Sequence, residues 1–211
     1  MTVPRLPAGK PVSQSFDVPA GPEADPIRAA LEAIDRVHGD GELPALLVQI
    51  ERLEFGQQGY YDPKIPCVVV SDSAPRPALT LVHEVGHVLD HHGLGGSRSL
   101  ASRTHPALED WRVATMRSQA YHILWYIGHT SSDPVAVATA AYHLLKGELW
   151  ARAYAQYVVM RSGSRTLLDQ LDEVRRPVAE TIYLPRQWDD DDFVQIADAI
   201  DRLFRRQGWL T

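Results

Sequence analysis

The spacing of apolar residues divides the chain into a strand-forming part and a helical part. Short apolar runs at residues 45–50 and 67–70 predict strands, and Tyr60 begins a further extended piece between them. The β-branched run at 67–70 is typical of a strand that is covered on both faces. From about residue 78 onward, apolar residues recur at helical spacings. The pattern therefore predicts an α+β fold, mostly helical, with a small mixed sheet ahead of a helix at 78–92.

Proline, glycine and acidic residues mark the ends of the predicted helices. Asp25 and Pro26 open a helix over residues 26–37, ahead of the sheet. The later helices cover residues 78–92, 106–127, 134–146, 148–161, 166–175 and 193–207. Residues 179–184 form either a strand or an irregular segment. The four aspartates at 189–192 predict a helix N-terminus, where the dipole favours negative charge, because a calcium loop needs alternating acidic residues.

The N-terminal segment differs in composition from the rest of the chain. Residues 1–25 contain five prolines and few large apolar residues. This composition predicts an extended N-terminal arm. Residues 26–211 are sufficient for one well-buried domain, and no internal repeat divides them. We expect that single domain to end in a C-terminal helical extension.

Charge and hydropathy narrow the possible partners and the location. The net charge is -6 and no Lys/Arg-rich run exists, which argues against a nucleic-acid partner. The N-terminus lacks the apolar core of a signal peptide, and the apolar run at 123–127 is too short to span a bilayer. The single cysteine, Cys67, allows no disulfide within the chain. We expect a soluble cytoplasmic protein with no membrane partner, and leave open both its oligomeric state and export without a signal peptide.

The predicted helix at 78–92 carries the strongest chemical signal, the sequence His-Glu-Val-Gly-His at residues 83–87. His83 and His87 are four residues apart, so a helix places both on one face, where they can bind one Zn²⁺. Glu84 then lies to the side, where it can act on a water molecule as a general base. The alternative is a buried helix with two hydrogen-bonded histidines and a surface glutamate.

A catalytic zinc ion needs a third protein ligand and an open position. The candidates downstream are Asp90, His91, His92, His105, Glu109, Asp110, His122, His129, His143 and Glu148. His91 lies about 12 Å from His83 along the helix axis, too far for one ion, so Asp90 and His91 fit better beside the ligands. Glu148 opens a helix among apolar residues and needs a partner. That partner is either a metal ion or the positive end of the helix dipole, which favours a glutamate in the first turn.

Residues 83–87 and the sequence Glu-x-Trp-Ala-Arg-Ala-Tyr-Ala at 148–155 together resemble the gluzincin class of metallopeptidases. The resemblance extends over roughly residues 43–160. Within this class the chain most resembles the small branch that contains the catalytic domain of anthrax lethal factor and the phage-repressor-cleaving peptidases. It also resembles metallopeptidase domains of phage-head-type and polymorphic-toxin proteins. The resemblance implies a zincin-like fold and makes Glu148 the third zinc ligand. Arg152 stands where many relatives have an acidic residue, so no metal role is implied there.

The resemblance also implies the reaction, hydrolysis of a peptide bond by a zinc-activated water with Glu84 as general base. In relatives a Tyr or His stabilises the oxyanion of the tetrahedral intermediate. The candidates are Tyr142, His143 and Tyr183. Tyr142 is preferred because its distance from Glu148 matches the resemblance, although core packing explains it equally well. A protein or peptide substrate would add as a strand at the sheet edge near residues 60–70.

Two other functions remain consistent with the sequence. The first is a non-catalytic zinc-binding interaction module of a phage- or toxin-type assembly, in which the large helical region at 106–161 offers a partner surface. The second is zinc-dependent hydrolysis of a non-peptide amide. The presence of Glu84 favours an enzyme, because a purely structural zinc site has no need of that carboxylate.

Overall fold

A four-stranded sheet forms the β part of the fold. The structure, a computed structural model, describes residues 7–54, 56–94, 100–176 and 184–211. Its strands are β1 (Phe16–Asp17), β2 (Leu46–Glu51), β3 (Gly59–Asp62) and β4 (Cys67–Ser71), in the spatial order β1-β2-β4-β3. The first two strands and β4 run parallel, and β3 is antiparallel to β4. The prediction of a small mixed sheet is confirmed.

Helices make up most of the remaining structure. They are α1 (Asp25–Asp35), α2 (Pro77–Val88), α3 (Ala101–Thr104), α4 (Glu109–Arg117), α5 (Gln119–Thr130), α6 (Pro134–His143), α7 (Lys146–Ser162), α8 (Arg165–Arg175) and α9 (Asp190–Gln207). A π-helical turn at Leu89–Gly93 extends α2, and 3₁₀ helices cover Val12–Ser15, Pro22–Ala24 and Pro106–Leu108. The chain is therefore mixed α and β and mainly helical, as predicted. Among these described helices, none combines the length and apolar character that a membrane crossing requires.

The sheet fixes the position of α2. All five residues of β4 are buried, which agrees with the prediction of a strand covered on both faces, and a short loop then leads into α2. The edge strand β3 lies directly against α2. A Cβ built on Gly59 would lie 2.7 Å from Thr80 Cγ2 and 2.8 Å from the Val69 carbonyl oxygen. Only a glycine therefore allows β3 to lie this close to α2 and β4.

The prediction of an extended arm over residues 1–25 is wrong for residues 7–25, which belong to the folded core. Phe16 pairs with Leu46 and extends the sheet by a parallel strand. Val12 and Phe16 are buried in the main hydrophobic core, and Ser15 Oγ donates a hydrogen bond to the Gly41 carbonyl oxygen at 2.6 Å. The segment has few apolar residues, but Val12 and Phe16 are buried in the core. Composition counts these residues and does not predict whether they are buried.

The helix predicted over 106–127 is interrupted at Ser118, whose backbone is extended. Ser118 Oγ accepts a hydrogen bond from the Tyr121 N–H at 3.2 Å and caps α5. Asp192, in the acidic run at the start of α9, accepts from the Gln119 N–H at 2.7 Å and the Ala120 N–H at 3.0 Å. The run therefore begins α9, as predicted, and also caps a helix more than seventy residues away in the chain.

The boundary between α6 and α7 also differs from the prediction. The structure ends α6 at His143, not 146, and begins α7 at Lys146, so Gly147 lies inside α7 instead of interrupting a helix. A Cβ on Gly147 would lie 3.1 Å from Leu100 Cδ1, so a glycine at this position allows the Leu100 side chain to pack closely against α7. The predicted segment at 179–184 falls almost wholly on residues 177–183, outside the described part of the chain.

A close approach between α2 and α7 joins the two halves of the fold. The Trp150 Nε1–H donates to the Gly86 carbonyl oxygen at 2.9 Å, and both residues are buried. A Cβ built on Gly86 would lie 2.8 Å from Ala151 Cα, a backbone atom. The small side chain of Ala151 and the absence of one at Gly86 therefore let the two helices pack closely at this point.

A buried histidine ties the segment after α1 to α7. His38 is completely buried. Its Nε2 lies 2.9 Å from the Tyr154 hydroxyl and its Nδ1 lies 2.8 Å from the Gly39 carbonyl oxygen. A neutral ring satisfies both contacts if Nδ1–H donates to the carbonyl and Nε2 accepts from the hydroxyl. Burial lowers the pKa of His38 to about 4.

Replacing Gly86 by alanine should destabilise the protein, because the new methyl group meets the backbone of α7. We expect the free energy of unfolding to fall by about 1–3 kcal/mol, measured by urea denaturation. Gly128→Ala in α5 is the matched control, since its Cβ would make only an ordinary contact of 3.7 Å with Ala140. A Gly86→Ala protein as stable as the control would contradict the close approach.

Stability should also depend on the protonation of His38. The unfolded chain takes up a proton near pKa 6.5, whereas the folded chain resists protonation until about 4. The contribution is therefore complete above pH 6.5 and is lost as the pH falls from there towards 4. Between about pH 7 and about pH 5 the loss should be about 2 kcal/mol. His38→Gln should lose less over this range in urea denaturation than wild type or the surface control His129→Gln, and equal losses in all three would refute the prediction.

Candidate metal centre

Three side chains from α2 and α7 meet at one point. His83 and His87 lie one turn apart on α2, and Glu148 lies in the first turn of α7. His83 Nε2 is 3.4 Å from Glu148 Oε2, and His87 Nε2 is 3.3 Å from Glu148 Oε1. One ligand atom from each side chain lies within 4.8 Å of the other two. In the described part of the chain this is the sole group of His, Cys, Asp and Glu with such spacing.

The spacing and the chemistry of these three groups fit a zinc ion. Ligands that bind Zn²⁺ at its usual distances in a tetrahedron lie about 3.3 Å from one another. The distance from each histidine Nε2 to a Glu148 oxygen, Oε2 for His83 and Oε1 for His87, is close to this value. Two imidazoles and one carboxylate are also a ligand set used by catalytic zinc sites, which leave a fourth position open. The residues could therefore hold one Zn²⁺ ion.

The electrostatics of the three groups also suit a cation. Burial opposes the charge on Glu148, but hydrogen bonds from His83 and His87 outweigh it and hold the pKa of Glu148 well below its usual range. Burial likewise opposes protonation of His87, yet the hydrogen bond to Glu148 and the nearby acidic groups raise the pKa of His87 above its usual value. The site thus presents an ionised carboxylate in a largely buried position, where a positive charge is favoured.

Glu84 lies beside this group and is buried. Burial raises the pKa of Glu84, while the charges of His83 and His87 and the backbone N–H of Tyr61 act in the opposite direction. The glutamate therefore contacts the edge strand β3 and lies near enough to the histidine pair for their charges to act on it. It lines the same cavity as the three candidate ligands. This is the placement expected from its position next to His83 in the sequence.

Both described candidates for the oxyanion donor lie at the site. Tyr142 lines the cavity and is half exposed, and burial together with the charge of Glu148 and a hydrogen bond to it raises the pKa of Tyr142 well above its usual value. His143 also lines the cavity, its buried Nδ1 has no hydrogen-bond partner among the described residues, and burial lowers the pKa of His143 to about 4. Tyr183 lies outside the described residues.

Asp90 and His91, the two residues expected beside the ligands, lie in different surroundings. The carboxylate of Asp90 is buried and accepts hydrogen bonds from the Ser102 N–H at 2.6 Å and the Ser102 hydroxyl at 2.7 Å. Its negative charge contributes to the raised pKa of His87. His91 lines the cavity and lies edge-on to Tyr61, with ring centroids 5.6 Å apart. Asp90 thus acts on His87 through its charge, and His91 forms part of the rim.

The candidate centre opens into a cavity of about 780 Å³. Residues of β3 line it on one side, including Tyr60 and Tyr61. Three arginines also line it: Arg76, Arg152 and Arg186. Sequence reasoning did not assign them to the site. Arg152 follows Glu148 by one helical turn, and this spacing could have placed it there, whereas nothing local marks Arg76 or Arg186.

Comparison with known protein families finds no family model that matches the chain, and comparisons with curated proteins and with solved structures find no match either.

Zinc binding should depend on Glu148. Wild-type protein dialysed against Zn²⁺ should retain one ion per chain, measured by plasma mass spectrometry. Glu148→Gln removes the ionised carboxylate, so its zinc affinity should fall roughly a hundredfold or more in a competition titration with a chelator. Glu32→Gln, an exposed position on α1, is the matched control and should bind as wild type does. Unchanged affinity in Glu148→Gln would exclude it as the third ligand.

Proposed function

We propose that the protein is a zinc-dependent metallopeptidase of the gluzincin type with a zincin-like fold. The observation that carries the proposal is the meeting of His83, His87 and Glu148, with one ligand atom of each within 4.8 Å of the other two and the buried Glu84 beside them. A cavity that is bordered by an edge strand supports a substrate role for the same site. The cytoplasmic location expected from the sequence belongs to the same proposal.

In the proposed mechanism, His83, His87 and Glu148 hold the metal. A bound zinc ion would supply the Lewis acidity that lowers the pKa of water and polarises a carbonyl group. Glu84 takes a proton from the attacking water and delivers it to the leaving amine. The raised pKa of Glu84 suits both steps, because a stronger base accepts the proton and its conjugate acid can still release it.

Tyr142 is the proposed donor to the oxyanion of the tetrahedral intermediate. Its hydroxyl keeps its proton at neutral pH, since the pKa of Tyr142 is raised, and it lies within hydrogen-bonding reach of Glu148. A protonated hydroxyl at this position can donate to the developing negative charge. The alternative donor is His143, whose low pKa leaves its ring neutral.

The substrate is proposed to bind as an added strand along β3. This strand pairs with β4 on one side and ends the four-strand order of the sheet. Its residues Gly59, Tyr60 and Tyr61 line the cavity. A peptide in extended conformation can therefore satisfy main-chain hydrogen bonds at this edge and place a carbonyl group near the candidate centre.

A non-catalytic interaction module remains the second candidate, and one helix pair favours it. The α5–α6 pair exposes large apolar side chains to solvent outside the cavity: Trp125, Tyr126 and Val135. Exposed side chains of this kind are common where proteins contact one another. The buried Glu84 beside the metal ligands argues for the enzyme, because an interaction module needs only the ligands.

Replacing the general base separates these two functions. Glu84→Gln should keep its zinc content but lose at least about a hundredfold in peptide cleavage, because no carboxylate remains to move the proton. Cleavage of a diverse peptide library would be followed by mass spectrometry, with Glu32→Gln as the control. Bound zinc without peptide cleavage by the wild type would favour the interaction module. Cleavage of non-peptide amides alone would favour zinc-dependent hydrolysis of a non-peptide amide.

A further inference from the structure

Three arginines line the cavity beside the candidate metal centre, and the proposed hydrolysis uses none of them. Arg76 precedes α2, Arg152 belongs to α7, and Arg186 lies in the segment before α9. In the described part of the chain, the acidic residues that line the cavity are Glu84 and Glu148. The protein as a whole carries a net charge of -6, so this concentration of positive charge is local.

The three arginines lie next to the two helices that carry the candidate ligands. Arg152 follows Glu148 by four residues on α7, about one turn, and so lies on the same face. Arg76 is the residue directly before α2, and Leu79 and Thr80 in the first turn of that helix line the same cavity. Arg186 lies beside Arg152, whose guanidinium donates to its carbonyl oxygen at 2.7 Å.

Arg152 is held rigidly and carries a buried charge. Its guanidinium donates to the main-chain oxygens of Arg186 at 2.7 Å, Pro185 at 3.1 Å and His143 at 3.3 Å. Burial lowers the pKa of Arg152 to about 10, while the charge of Glu148 acts in the opposite direction, so the group remains protonated at neutral pH. The three carbonyl groups orient this guanidinium but carry no net charge.

The side chains of Arg76 and Arg186 make fewer hydrogen bonds than that of Arg152. Arg76 has one long contact, 3.5 Å, from its Nη2 to Gln58 Oε1. The side chain of Arg186 is exposed and makes no hydrogen bond or ion pair with any described residue. The two carboxylates that line the cavity already have partners, because Glu148 contacts both histidines and Glu84 accepts from the backbone N–H of Tyr61. Within the described residues no carboxylate pairs with Arg76 or Arg186, so a substrate group beside these two arginines faces positive charge.

We propose that this part of the cavity binds a carboxylate of the substrate and that the enzyme prefers acidic peptides. The proposal rests on the proposed function. The carboxylate belongs either to an Asp or Glu side chain next to the scissile bond or to the peptide C-terminus, because both present the same planar anion to a guanidinium. Arg186 contacts it directly, Arg76 is the second donor, and Arg152 supplies a fixed positive charge at the wall.

The test compares matched peptides on the zinc-loaded full-length protein. The best-cleaved library sequence would be made with Glu or Gln at each position flanking the scissile bond, and with a free or amidated C-terminus. A charge-assisted hydrogen bond predicts that one Glu peptide exceeds its Gln counterpart in kcat/KM by roughly tenfold to a hundredfold. The same preference confined to the free-acid and amide pair identifies the terminal carboxylate as the source.

Two substitutions locate the preference. Arg186→Gln should narrow the ratio between charged and neutral peptides to about threefold or less, chiefly through KM. Arg186→Glu should reverse the charge preference, so that a Lys peptide is cleaved with a higher kcat/KM than the Glu peptide. Arg117→Gln, an exposed arginine of α4 that does not line the cavity, should keep the wild-type ratio. Equal rates for charged and neutral peptides in the wild type, or a ratio unaffected by Arg186→Gln, would overturn the proposal.

A binding measurement separates this proposal from the proposed hydrolysis. Fluorescein-labelled alanine-rich hexapeptides with Glu or Gln at each central position, and with a free or an amidated C-terminus, would be titrated with zinc-loaded Glu84→Gln protein and followed by anisotropy. In one of these two comparisons the peptide with the additional carboxylate should bind roughly tenfold more tightly, and Arg186→Gln in the same background should remove the difference. If no peptide is cleaved, the proposed function fails while this measurement still decides the acidic preference, and equal binding in both comparisons refutes that preference.

Discussion

The close packing of α2 against α7 is the interaction on which the candidate site depends. Gly86 has no room for a side chain against Ala151, and the Trp150 ring nitrogen donates to the carbonyl oxygen of that same glycine. These contacts fix the distance between the two helices. Only at this distance do His83 and His87 come within 3.3–3.4 Å of the carboxylate oxygens of Glu148. The glycine inside the His-Glu-Val-Gly-His sequence is therefore part of the architecture of the site.

The same packing creates the electrostatic contrast inside the cavity. It holds two carboxylates, Glu84 and Glu148, next to the histidine pair, and it places Arg152 one helical turn further along α7. Burial weakens the screening of these charges by water, so each group changes the protonation of its neighbours. Acidic and basic groups thus lie a short distance apart in the cavity, as the proposed function and the proposed acidic preference require.

The differences between prediction and structure have a common physical origin. Residues 7–25 join the core through Val12 and Phe16, and α5 is capped by Asp192 from the far end of the chain. Each of these features is a contact between residues that are distant in sequence. Local composition and periodicity describe the segment alone, so they predicted an arm in the first case and an unbroken helix in the second.

The sequence by itself determined three of the four strands, most of the helices, and the two short segments that carry His83, His87 and Glu148. These follow from local periodicity and from residue chemistry, which need no knowledge of the fold. The tertiary structure decided which side chains meet. It brought Tyr142 and His143 to the cavity and added Arg76 and Arg186, which no local pattern marks. The reason is that a site is defined by distances between elements, and packing sets those distances, as the contact of Gly86 with Ala151 illustrates.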